Sequence, residues 1–253
     1  MTDIGPQAEL DAALQELADI LVSDEDVDST ISRITRLAVA CIDGADFCGV
    51  SLITKGKEIK SVGATDEVAA EVDKVQYEVG EGPCLSSIAD QATFKIDDIG
   101  SDRQWPRFSA AAVDKGVNSM LAFVLQISDQ SLAALNLFAR EAHAFSMEDV
   151  RVGAIFASHA AHTLANAQTH ETDRLKAQQL EEALATRGVI SNAVGILMAQ
   201  EGMNREEAFG MLRTTSQALN FKLRVIAESV VDKTERGANS RKRLTDDDES
   251  LAP

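Results

Sequence analysis

Cysteine is scarce in this 253-residue chain, which holds Cys41, Cys48 and Cys84 and no others. The number is odd, no Cys-x-x-Cys pair occurs and no histidine stands at zinc-finger distance. Neither a disulfide framework nor a structural zinc site is expected, and the thiols read as reduced. No apolar run approaches the ~18 residues that span a bilayer, and the first residues, with Asp3 and Glu9, lack the basic opening of a signal peptide. A cytoplasmic protein with no membrane partner is therefore expected. A phosphate-binding glycine loop, a convincing catalytic triad and a recognisable cyclic-nucleotide pattern are all missing, so the residues point to no enzyme, no metal and no cofactor. His159 and His162 lie three residues apart on one helical face, as metal ligands do. With no carboxylate placed to complete a site, a packed or interfacial pair is the better reading.

The hydrophobic content of 45 % is enough for one large or two ordinary domains. The net charge of −17 ordinarily speaks against a nucleic-acid partner. Its distribution changes that picture. Residues 1–173 hold 12 basic and 29 acidic side chains, residues 174–243 hold 12 and 8, and residues 244–253 hold none and 4, giving −17, +4 and −4. Such asymmetry suits a nucleic-acid-binding segment on an acidic carrier, although chance clustering on a solvated helical surface gives the same signature.

Periodicity places the elements. Leu10, Leu14, Leu17, Ile20 and Leu21 form one helical stripe, and Ile31, Ile34, Leu37, Ala38 and Ile42 form a second. Between them Ser23-Asp24-Glu25-Asp26 is a polar break with capping residues, its acidic run a solvated loop. Strand-like runs follow at 47–54 and 58–63 around the turn Lys55-Gly56-Lys57, then a short helix near 66–77, a strand near 93–96 and a helix over 107–115. The runs 119–127 and 131–139, joined by Ser128-Asp129-Gln130, read as an antiparallel pair. Helices flanking an antiparallel sheet make an α+β domain.

From Met147 to Arg187 there is no proline, and Gly153 is the lone glycine. Val152, Ile155, Phe156, Leu164, Leu175, Leu180 and Leu184 keep near-helical spacing, interrupted by Glu171 and Arg174, as in an imperfect coiled coil. A homodimer strut is expected there. Beyond it, three short amphipathic helices must pack on one another to bury any core. The first is to bury Leu180, Leu184, Ile190, Leu197 and Met198, with Ala193 and Gly195 allowing close helix approach, and Gly202 ends it. Asn204 and Glu207 have capping-box spacing for the second, which is to bury Ala208, Phe209, Leu212, Thr215 and Leu219. Asn220 can take the left-handed conformation that stops it. Leu223, Ile226, Ala227 and Val230 form the matching face of the third. The tail from Gly237 is polar and acidic, with the composition of a disordered segment.

Two resemblances attach to these residues. The order of the first elements, the turn Gly80-Glu81-Gly82-Pro83-Cys84, Asn136-Leu137-Phe138 in the last strand and Phe145-Ser146-x-x-Asp149 opening a helix together resemble a GAF domain. Arg187, Ile190, Ala193, Gly195-Ile196-Leu197-Met198, Glu207-Ala208-Phe209, Leu212-Arg213, Ser216, Asn220, Lys222-Leu223, Ala227 and Val230-Val231 resemble the ANTAR domain, the RNA-binding output module of bacterial transcription antiterminators. The combination is similar to the actinobacterial GAF–ANTAR regulators. It implies an N-terminal helical segment over 1–25, a sensor domain over 26–167, a connecting helix over 147–187, a three-helix RNA-binding domain over 175–236 and a tail over 237–253.

The resemblance further implies control of transcription termination through RNA hairpin loops, with a small molecule as the sensor's ligand. Which molecule is left open. The exposed candidates for RNA are Arg187, Arg213, Ser216, Asn220, Lys222 and Arg224: arginine offers a planar fork to phosphate, and serine or asparagine can read unpaired base edges. No aromatic platform is expected on that surface. Many ANTAR sequences carry lysine at the position of Val194, so one cationic contact is missing here. The alternative is a ligand- or redox-sensing regulator that works through protein contacts without RNA. Its candidate thiol is Cys84, since a cysteine opening a helix has a lowered pKa, though an inert buried residue at a tight turn is the plainer reading. GAF-type free methionine sulfoxide reductases have a similar cysteine-bearing turn, but they need later cysteines, and Cys84 is the last one here.

Overall fold

The computed structural model describes residues 6–21, 23, 26–53, 59–128 and 131–249. The elements run α1 Pro6–Leu21, α2 Val27–Cys41, β1 Phe47–Ile53, β2 Ile59–Val62, α3 Glu67–Val79, α4 Pro83–Asp90, β3 Phe94–Ile96, a 3-10 turn Ile99–Ser101, α5 Pro106–Asp114, β4 Ser119–Ser128, β5 Ser131–Ala139, α6 Met147–Glu201, α7 Arg205–Leu219 and α8 Leu223–Glu249. The predicted turns at 55–57 and 129–130, and Asp24 and Glu25 of the acidic run, lie outside the described residues. Asp26 caps α2 by accepting from the Ser29 amide. Among the described residues no helix is long and apolar enough to cross a membrane.

The chain divides into two compact units, 1–172 and 173–253. In the first, the strands form one antiparallel sheet in the order β2-β1-β5-β4-β3. Side chains alternate across a strand, and here both faces are covered, so the central strands read as nearly continuous apolar runs. Val50, Leu121, Phe123, Leu125, Leu135 and Leu137 join α1, α2 and the start of α6 in one core. Phe47, Met120, Ala122, Ala134 and Phe138 join α3, α4 and α5 in the other. Gly153 lets α6 approach the sheet, because a Cβ there would lie 2.5 Å from the Phe123 ring.

In the second unit, the end of α6 packs with α7 and α8 around Ala193, Val194, Leu197, Ala208, Leu212, Ile226 and Ala227. The Asn204 side chain accepts from the amides of Glu206 and Glu207, while Glu207 accepts from the Asn204 amide, closing the capping box. Asn220, at φ 54°, ends α7 in the left-handed region. The second helix of that pattern therefore starts and stops on the residues its sequence nominates. α8 continues to Glu249 through 237–249, which composition assigns to an irregular tail. That stretch contains no proline to break a helix, and residues 250–253 lie outside the described residues.

The small core takes fewer residues than periodicity assigns to it. Ile190 and Leu223 are half-buried, whereas Met198, Phe209 and Leu219 are exposed, Phe209 at 42 %. Leu180 and Leu184 are also exposed. Gly195 gives no close approach: a Cβ there would meet nothing within 4 Å. Successive helical residues are about 100° apart, so a stripe centred on Ala208 and Leu212 leaves Phe209 at its edge, and one centred on Ala193 and Leu197 leaves Met198 outside.

Candidate nucleic-acid interface

The ends of α7 position three cationic side chains of the C-terminal unit, Arg205, Lys222 and Arg224. Arg205 is the first residue of α7, directly after its Asn204 cap. The left-handed Asn220 reverses the chain so that α8 begins three residues later, with Lys222 and Arg224 on either side of its first residue. The Ser216 hydroxyl donates to the Phe221 carbonyl at 2.6 Å and the Phe221 amide donates to the Ser216 carbonyl at 3.1 Å, holding that reversal. An open recess of about 920 Å³ lies between these helices. Arg187, Ile190 and Val194 line it from α6, Arg205 and Phe209 from α7, and Lys222, Leu223 and Arg224 from the start of α8.

Of the six residues that sequence nominates for RNA, the fold brings Arg187, Lys222 and Arg224 together in this recess. Arg213, Ser216 and Asn220 do not line it. Arg213 and Asn220 are exposed, whereas Ser216 is half-buried and its hydroxyl proton is committed to the α7–α8 reversal. Arg224 pairs with Glu228 at 2.6 Å, and Arg187, Arg205, Arg213 and Lys222 form no ion pair among the described residues. Glu182 is the acidic residue of the lining. Val194, at the lysine position of the resemblance, is buried in the small core and contributes an apolar wall. Charge and motif do not point to Arg205, and periodicity places Phe209 in the core, although Arg205, Phe209 and Arg213 stand four apart on one helix face, a spacing visible in the sequence. The expectation of a surface without an aromatic side chain is corrected by the exposed Phe209 and Phe221.

The sheet domain holds a second arrangement of polar groups. Asp73 on α3 is buried against β1, where a Cβ on Gly49 would lie 2.9 Å from its Oδ2. It accepts hydrogen bonds from the Ser61 hydroxyl at 2.9 Å, the Asn136 amide at 2.7 Å and the Gln76 amide at 3.3 Å. The Ser51 hydroxyl oxygen accepts from the Asn136 amide at 2.9 Å and the Cys84 thiol at 3.1 Å, and it shares a 2.5 Å hydrogen bond with the Tyr77 hydroxyl. Burial pushes the Asp73 carboxyl up to about 7, against the lowering effect of its Ser61 and Asn136 hydrogen bonds. Asn136 Oδ1 is a buried acceptor without a partner.

Cys84 belongs to this cluster and is fully buried. Its thiol is pushed up to about 12, first by burial and then by the neighbouring Asp73. Desolvation here opposes the acidifying effect of the helix N-terminus on which the redox alternative depends. Cys41 and Cys48 are buried as well, and burial raises both thiols. His159 and His162 are exposed on α6, and among the described residues no group of three or more His, Cys, Asp and Glu side chains is placed to hold a metal ion.

Family models match both units. That of the GAF domain matches residues 24–165 and that of the ANTAR domain matches residues 178–231. No curated protein matches the chain. Among solved structures, a GAF sensor protein from Burkholderia vietnamiensis is 13 % identical with a TM-score of 0.52, covering 65 % of this chain and 99 % of its own. The GAF domain of an Acinetobacter phosphoenolpyruvate-protein phosphotransferase is 11 % identical with a TM-score of 0.51, covering 67 % and 97 %. A free methionine-R-sulfoxide reductase from Neisseria meningitidis is 13 % identical with a TM-score of 0.49, covering 65 % and 90 %.

Proposed function

From the premise that this chain belongs to the GAF domain family and carries an ANTAR domain after its GAF domain, we propose that it is a signal-responsive, non-enzymatic regulator of transcription termination that binds RNA hairpins through its C-terminal unit. The observation that carries this reading is the recess in which Arg187, Arg205, Lys222 and Arg224 converge from α6, α7 and α8. The unit's three-helix core is small, but the capped ends of α7 place Arg205, Lys222 and Arg224 beside Arg187 of α6. Cations from three helices meet the phosphates of a folded loop as a group. The unit does so within a chain whose net charge is −17, so the attraction comes from the local field at short range.

In this proposal Arg187, Arg213, Lys222 and Arg224 contact phosphates, Asn220 reads a loop base with its side-chain amide, which makes no hydrogen bond among the described residues, and Ser216 serves through its remaining acceptor capacity. The protein acts in the cytoplasm as a homodimer joined along α6, where Leu175, Leu180 and Leu184 are exposed. A small molecule bound by the GAF domain sets the RNA affinity. The test is a titration of the full chain with an RNA hairpin and with unstructured RNA across a salt series. Hairpin preference, with the salt slope falling by about 0.7 to 1 for each phosphate-contacting cation removed, supports the reading. Equal, weak binding to both RNAs refutes it and favours a regulator that works through protein contacts.

A further inference from the structure

Phe209 is unusual for an aromatic side chain in a three-helix unit with so small a core. It stands one residue past the buried Ala208, is 42 % exposed and forms part of the wall of the basic recess. On its own helix face it is flanked one turn away on each side by Arg205 and Arg213, neither of which has an ion-pair partner among the described residues. Lys222 and Arg224 line the same recess. An apolar ring left open to water is a cost that packing on the domain core does not remove. A ring set among cations is poorly matched to an ordinary apolar protein surface. It is well matched to a ligand that combines a flat aromatic face with negative charge at short spacing. An unpaired nucleotide has both features.

We infer that Phe209 is the stacking platform for an unpaired base of the RNA loop, with Arg205 and Arg213 holding the phosphates on either side of that base. The inference rests on the RNA-binding reading and makes it more specific. A base inside a duplex hides both faces in its stack, so this contact discriminates loops from stems. The arginines act on any phosphate. Affinity is therefore divided between a salt-dependent part carried by cations and a salt-independent part carried by the ring. Residue by residue, the two parts are separable.

The experiment compares the full-length parent with F209L, F209W and R205A, each titrated with an RNA hairpin and with a blunt duplex of the same stem over a salt series. F209L is expected to lose about 10- to 100-fold in hairpin affinity, with an unchanged salt slope and little loss on the duplex. F209W is expected to keep the hairpin affinity, and the emission of its added indole should be quenched by the hairpin and not by the duplex. R205A should lower the salt slope on both RNAs by about 0.7 to 1. Thermal unfolding of F209L should match the parent, since the ring lies outside the buried core. Hairpin preference retained in F209L at parental affinity overturns the stacking role and leaves the RNA reading standing. The same holds if F209L loses equally on both RNAs. Absence of hairpin binding by the parent overturns both, and a protein ligand then becomes the occupant of the recess.

Discussion

Asp73→Asn is expected to remove a loss of stability that the sheet domain suffers as pH rises. In the folded protein the Asp73 carboxyl titrates at about 7, against an ordinary value of 3.8. Between these values the folded state holds a proton that the unfolded state has released, so unfolding becomes easier as pH increases. The stabilising contribution of the protonated form is complete below 3.8, declines through the interval and is gone once pH has passed about 7. Three pH units at ~1.4 kcal/mol each set its size at ~4 kcal/mol. Asparagine has the shape of the neutral acid, keeps an acceptor for the Asn136 and Gln76 amides and cannot ionise.

Urea unfolding of the parent and of D73N, followed by the fluorescence of Trp105, reads this difference. Trp105 is the chain's one tryptophan and lies in the core on the α3–α5 side of the sheet. The stability of the variant relative to the parent should climb between pH 4 and 8 by ~4 kcal/mol, a midpoint difference of roughly 2 M urea at a slope of ~2 kcal/mol per molar. A relative stability that stays level over that range would show that Asp73 is ionised in the folded state throughout, and a decline would show that its hydrogen bonds outweigh its burial. Either result refutes the argument from desolvation.

The native protein should resist modification by a thiol reagent at pH 8 and expose three reactive thiols only in denaturant, because Cys41, Cys48 and Cys84 are buried; rapid reaction of one thiol in the native state would contradict this. Cys84→Ser should accordingly leave RNA affinity as insensitive to peroxide as the parent, and a peroxide response present in the parent and lost in the variant would restore the redox reading. Leu175→Asp, at a position 47 % exposed, should weaken a dimer formed along α6 by several kcal/mol, visible by light scattering; a parent that is already monomeric at micromolar concentration removes the dimer proposal. Val152, Phe156 and Leu164, which periodicity places on the same seam, are buried in the core of the sheet domain and so lie outside any such interface. Asn204→Ala should lower the stability of the C-terminal unit by about 1 kcal/mol through loss of the capping box, and an unchanged melting temperature of that unit would argue against the cap geometry.

Local order was legible wherever the controlling physics is local. The Asn204 and Glu207 spacing announces the start of α7 and Asn220 its end, because a cap is satisfied by atoms within a few residues. The apolar runs 119–127 and 131–139 announce the antiparallel pair β4 and β5 for the same reason. The two family resemblances rest on residues spread along the chain and are matched by the family models over 24–165 and 178–231. The candidate interface was half legible. Charge and motif point to Arg187, Lys222 and Arg224, while Arg205 stands beside acidic Glu206 and Glu207, which mask its charge in the sequence.

By itself, then, the sequence determined most of the elements up to residue 236, the α+β sheet domain followed by a helical one and the concentration of positive charge in residues 174–243, but not that α6 runs unbroken to Glu201 or that α8 continues to Glu249. Only the tertiary structure decided the fate of individual side chains. Periodicity says which residues share a helix face and not how far a neighbouring helix reaches across it, so Phe209 and Met198 were assigned to a core that ends one residue short of each. Desolvation likewise depends on what encloses a group from other elements. Cys84, which its helix position alone would acidify, is closed in by β1 and α3 and becomes a very weak acid, and burial against β1 pushes the Asp73 carboxyl up to about 7 in spite of its hydrogen bonds. Burial is a property of the assembled surface, and no local pattern of residues contains it.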